Sequence, residues 1–116
     1  MNSITFIFSN ETQETFNCDL NDNLRVSKII SMNSNDGILN NRWEIVGTKY
    51  MTSLNDFVNN LIVLQKENKL EQIKISLNDE EYFYDYAEDI KQIEYYIHDE
   101  RSSNLEVYSL NIILNI

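Results

Sequence analysis

Residues 78–100 read Asn78-Asp79-Glu80-Glu81-Tyr82-Phe83-Tyr84-Asp85-Tyr86-Ala87-Glu88-Asp89-Ile90-Lys91-Gln92-Ile93-Glu94-Tyr95-Tyr96-Ile97-His98-Asp99-Glu100. Two structures compete for this stretch. Phe83, Tyr86, Ala87, Ile90, Ile93 and Ile97 recur at helical spacing. Asn78 is a good N-cap, and Asp79, Glu80 and Glu81 suit the positive end of a helix dipole. The run Tyr82-Phe83-Tyr84-Asp85-Tyr86 is equally good strand composition. In that second reading it folds back on Ile73-Lys74-Ile75-Ser76-Leu77 as a hairpin, and the helix starts near Ala87.

The rest of the chain supplies a sheet for either version. Residues 3–9 alternate Ile4, Phe6 and Phe8 against Thr5 and Ile7, which predicts a strand. Asn10-Glu11 makes a turn, and residues 12–20 return with Phe16, Cys18 and Leu20 on one side, completing a hairpin. Asp22 caps a short helix over 23–32, on which Val26, Ile29 and Ile30 stand at helical spacing. Residues 33–41 form a loop, since Asn33-Ser34-Asn35-Asp36-Gly37 is turn chemistry.

Residues 42–51 predict a strand with Trp43, Ile45 and Gly47 on one face and Trp43 in the core. Ser53 starts a helix that ends near Asn68, with Asp56 completing a variant capping box. Its apolar face is traced by Leu54, Phe57, Val58, Leu61, Ile62 and Gln65. Ile73, Ile75 and Leu77 mark another strand. Residues 105–116 are apolar in both phases, as in a central strand. The expected fold is α+β: a mostly antiparallel sheet of four to six strands with two or three helices packed on one face. Residues 1–116 are expected to form a single compact domain, an ordinary size for one core.

Composition narrows the function. Two glycines, Gly37 and Gly47, cannot write either glycine-rich phosphate loop. A single Cys18 and a single His98 cannot build a zinc cluster of the usual kind, and Cys18 has no activating neighbour in sequence. The Asn33–Gly37 turn begins like a calcium loop but sets its glycine one place early. No enzyme, metal or cofactor is therefore expected. Cys18 reads as a small strand hydrophobe, and His98 as a solvated helix-end residue. A lone thiol, no apolar run of membrane length and no leader-like opening predict a cytoplasmic protein. The abundance of Asn and Ile fits an AT-rich bacterial or phage coding sequence.

Charge carries the functional expectation. The chain has a net charge of −10, and residues 78–100 hold nine acids against one base. The remaining residues are nearly balanced, so the charge is concentrated. The same stretch holds five of the seven tyrosines. On a continuous helix, the face opposite Phe83, Ile90 and Ile97 carries Glu81, Tyr84, Asp85, Glu88, Gln92, Tyr95 and Asp99. With Asp89 alongside, the expected partner-binding set is Glu81, Tyr84, Asp85, Glu88, Asp89, Tyr95 and Asp99. Tyrosine buries area at low entropic cost, and carboxylates steer a basic partner. In the hairpin version Tyr82, Tyr84 and Tyr86 share one face, Phe83 and Asp85 take the other, and the tyrosine row joins the core.

Such a surface repels bare nucleic acid and anionic membranes and attracts a basic protein. In size, acidity and lack of a catalytic set, the chain is similar to toxin-immunity proteins of the barstar kind, and to phage anti-restriction and anti-CRISPR proteins. The similarity is one of physical type, and no motif of either group is present. The expectation is a non-enzymatic inhibitor, an immunity protein that blocks the basic cleft of a nuclease-like toxin. A phage anti-defence protein acting as a nucleic-acid mimic is the alternative. A further alternative is a self-associating accessory protein that pairs through its C-terminal strand, so both monomer and homodimer stay open.

Overall fold

The computed structural model describes residues 2–18, 24–33, 37–48, 52–100 and 105–115. Along the chain they form β1 (Ser3–Phe8), β2 (Gln13–Asn17), β3 (Leu24–Asn33), β4 (Gly37–Thr48) and α1 (Thr52–Glu67). There follow β5 (Leu70–Leu77), β6 (Glu80–Asp85), α2 (Tyr86–Asp89), β7 (Ile90–Glu100) and β8 (Leu105–Leu114). All strand pairings are antiparallel. The chain divides into two units, Met1–Asn21 with Thr52–Glu88 and Asp22–Met51 with Asp89–Ile116.

The first unit is a sheet of order β2-β1-β5-β6 with α1 on one face. The even residues of β1 face the helix side: Ile4, Phe6 and Phe8 are almost fully buried. Ile4 lies opposite Phe16 and Ile75, and Phe6 lies opposite Ile73. On α1, Leu54, Phe57, Val58 and Leu61 recur at helical spacing and are all buried. Each such side chain contributes roughly 1.5–3 kcal/mol on leaving water. The Phe57 ring meets Phe6 edge-on at 5.7 Å and Phe16 at 5.3 Å. Ile62 and Gln65, expected on this face, are exposed, so the buried stripe stops at Leu61.

β5 and β6 form a hairpin whose closing pair is Leu77 and Glu80. The two residues between, Asn78 and Asp79, have φ of 52° and 66°. Positive φ at both centres is the turn that matches strand twist, and Asn and Asp tolerate it best after glycine.

The second unit is a sheet of order β3-β4-β8-β7. β8 is central, as its two apolar phases predicted. Trp43 faces Ile112 and Ile45 faces Leu110, and all four are buried. The Lys28 ammonium sits 5.2 Å from the centre of the Trp43 ring. β7 carries an irregularity at its start. Ile90 opposes Leu114 and Gln92 opposes Ile113, leaving Lys91 without an opposite residue.

Several expectations are corrected. Among the described residues, eight strands in two sheets replace one sheet with helices on one face. The helix expected over 23–32 is strand β3, and residues 37–41 of the expected loop belong to β4. The hairpin reading holds for β6, but the helix expected from Ala87 is the single turn α2, which buries no residue. The chain then continues as β7, so His98 lies in a strand rather than at a helix end. Residues 34–36 of the calcium-like turn lie outside the described residues. Among the described residues no helix is long and apolar enough to cross a membrane.

Candidate protein-binding surface

The helical face that would have aligned the expected binding residues is not formed. The set is spread over β6, α2 and β7. Glu81 and Tyr84 are in β6, Asp85 ends it, Glu88 and Asp89 are in α2, and Tyr95 and Asp99 are in β7. Strand alternation then separates neighbours. Glu81, Phe83 and Asp85 stand on the face of the first sheet away from α1. Tyr82 and Tyr84 stand on the helix side, opposite buried Ile75 and Ile73, and are half-buried.

The acids that share the open side are therefore Glu81 and Asp85, joined by Glu88 in the following turn. All three are exposed, as are Asp79 and Glu80. Residues 79–88 thus present five exposed carboxylates and no base. One cation comes from the neighbouring strand. Lys74 lies directly opposite Phe83, with its ammonium 3.1 Å from Glu81 Oε1 and 5.7 Å from the centre of the Phe83 ring. A half-exposed pair of this kind contributes little to stability and leaves the patch strongly negative.

Phe83 is the residue the helical reading misplaced. Expected at the centre of a core stripe, it is 53% exposed between two carboxylates. The signal that locates it is Asn78-Asp79 between two strand-like runs, a two-residue turn that fixes the register of everything after it.

Asp85 has a second task. Its Oδ1 accepts hydrogen bonds from the N–H groups of Ala87 (2.9 Å) and Glu88 (3.2 Å), which makes it the N-cap of α2. The Tyr82 hydroxyl donates to the Glu80 carboxylate. That bond, with partial burial behind it, holds the Tyr82 phenol above its ordinary range. Small open hollows flank the patch, one lined by Ser3, Ser76, Asp79, Glu80 and Glu81, the other by Lys69, Leu70, Glu71, Asp85 and Ala87.

The remaining members of the set belong to the second unit. The Asp89 carboxylate is exposed, and its carbonyl accepts from the Asn115 N–H at 2.8 Å. Tyr95 lies opposite Leu110, half-buried, and burial raises its pKa. Asp99 lies opposite Glu106 in the ladder of β7 with β8. Tyr96, on the other face, accepts a hydrogen bond from the Asn111 amide at 3.2 Å. Cys18 is a half-buried thiol whose Sγ lies 3.9 Å from the Phe16 carbonyl. Among the described residues no three His, Cys, Asp or Glu side chains converge as metal ligands would.

No family model, curated protein or solved structure matches the chain.

Proposed function

We propose that this protein is a non-enzymatic inhibitor that captures a basic protein through the acidic surface of β6 and α2. The observation that carries the reading is the exposed row Glu81, Phe83 and Asp85, continued by Glu88. Two carboxylates flank a half-exposed aromatic ring on an edge strand. Carboxylates attract a basic cleft over a long range and raise the association rate, while a buried aromatic anchor slows dissociation. In this reading the protein works in the cytoplasm, and its first partner to test is a nuclease-like toxin encoded beside it.

The test begins with a pull-down by the tagged protein against the adjacent gene product and host lysate. A basic nucleic-acid-processing partner is expected, with recovery weakened by salt. The charges are then removed together as Glu81→Gln, Asp85→Asn and Glu88→Gln. Asparagine is chosen at position 85 because it caps a helix as well as aspartate does. The triple variant is expected to keep its stability within about 0.5 kcal/mol. Its association with the partner is expected to slow by about tenfold at low salt and to lose most of its salt dependence. Phe83→Ala is expected to act on dissociation instead. Unchanged rates in both variants would show that contact is made elsewhere.

A further inference from the structure

The register of the β5–β6 hairpin decides which backbone groups of β6 are used. In a two-residue hairpin the residues flanking the turn exchange both hydrogen bonds, and the pattern then alternates. Leu77 with Glu80, Ile75 with Tyr82 and Ile73 with Tyr84 are the bonded pairs. Ser76 with Glu81 and Lys74 with Phe83 are the non-bonded ones. The N–H and C=O groups of Glu81 and Phe83 therefore point away from β5. Among the described residues no strand lies on that side of β6. The residues whose backbone faces the free edge are thus the same ones whose side chains stand on the open face.

We infer that the outer edge of β6 takes up an extended basic segment of the partner as an added antiparallel strand. This rests on the acidic-surface reading and specifies how that surface is engaged. Backbone bonds to Glu81 and Phe83 supply the pairing, and the side chains opposite supply the selectivity. Residues directly opposite Glu81, Phe83 and Asp85 share their face, so the segment carries a cation, an apolar residue and a cation at alternate positions. A second copy of this chain does not fit. Antiparallel pairing of β6 with itself about Phe83 sets Glu81 opposite Asp85 twice, and like charges directly opposite oppose pairing.

The experiment uses the full-length protein and a capped seven-residue peptide, Thr-Lys-Thr-Val-Thr-Lys-Thr, followed by amide exchange in nuclear magnetic resonance. Saturating peptide is expected to slow exchange at the Glu81 and Phe83 amides by about tenfold or more, with little change at Tyr82 and Tyr84, which already bond to β5. N-methylation of the peptide's valine is expected to weaken binding about tenfold, whereas N-methylation of the neighbouring outward-facing threonine leaves it unchanged. On the protein side, Phe83→Pro removes an N–H that the β5 ladder does not use and is expected to abolish peptide binding. A peptide that fails to bind overturns the inference. So does one that binds regardless of N-methylation, or without protecting Glu81 and Phe83. The acidic-surface reading would survive each of those results, because it fails on a different measurement, the rates of the charge-neutralised variant with the whole partner.

Discussion

At the scale of single residues, the acids were legible from composition, and their directions only under the hairpin reading. Charge density is a property of composition, so the concentration of carboxylates after Leu77 needs no structure to be seen. Direction depends on the period of the backbone. Under a helical period Glu81, Tyr84 and Asp85 face one way. Under the strand period that the Asn78-Asp79 turn imposes, Tyr84 goes to the core side and Phe83 replaces it among the acids. The same geometry accounts for the two phenols with raised pKa. Tyr82 donates to Glu80, which favours the neutral form, and Tyr95 is raised by burial. A phenol whose folded pKa exceeds its unfolded value contributes stability below about pH 10 and loses it as pH rises through the folded value. Native phenolate absorbance should therefore show Tyr82 and Tyr95 ionising later than an ordinary tyrosine, and stability should fall above about pH 10. Glu80→Gln is expected to bring Tyr82 back toward its ordinary range while Tyr95 stays delayed. A Tyr82 titration indifferent to that substitution would remove the hydrogen bond as its cause.

At the scale of elements, β1, β2, α1 and β8 were readable because each keeps one period from end to end, and so was β5 from Ile73 to Leu77, past the irregularity that leaves Glu71 without an opposite residue on β1. β7 was not, and the reason is physical. Ile90, Ile93 and Ile97 are spaced by three and four, the mark of a helix. A strand with one extra residue produces the same spacing. Because Lys91 has no opposite residue, Ile90 and Ile93 both reach the face occupied by Leu114 and Ile112, and Ile97 follows opposite Tyr108. β3 misleads in a similar way, since Val26 and Ile30 share a strand face while Ile29 takes the other. The irregularity in β7 makes a sharp prediction. Lys91→Ala keeps the residue count and, on an exposed side chain, is expected to change stability by less than about 0.5 kcal/mol. Deleting Lys91 makes Ile90 and Gln92 consecutive opposite Leu114 and Ile113, so the ladder becomes regular and Ile90 keeps its buried face. The expected cost in urea unfolding is less than about 1 kcal/mol, well under the roughly 2–3 kcal/mol of exposing one isoleucine. A deletion cost of about 2–3 kcal/mol would mean that Ile90 is turned out and that Lys91 is not the extra residue.

At the scale of the whole molecule, pairing between distant strands was beyond a local reading. Periodicity says that a strand has a buried face but not which strand lies beside it. The two sheets are nevertheless built alike. The first joins the β1–β2 hairpin to the β5–β6 hairpin through β1 and β5, and the second joins the β3–β4 pair to the β7–β8 pair through β4 and β8. In each sheet one pair comes from before Thr52 and the other from after it, and the central ladder joins them. A cut between Met51 and Thr52 therefore severs both sheets at their middle without breaking any hairpin. Isolated two-stranded ribbons are marginal in water, and α1 would leave Phe6 and Phe16, the rings its Phe57 meets, in the other fragment. Neither fragment, 1–51 nor 52–116, is expected to fold alone. Mixed in equal amounts, they are expected to recover the circular dichroism and the dispersed amide spectrum of the intact chain, because each central ladder can form between fragments as it does within one chain. A fragment with a dispersed spectrum on its own would show that one half carries a complete core, without the ladder of β1 with β5 or of β4 with β8.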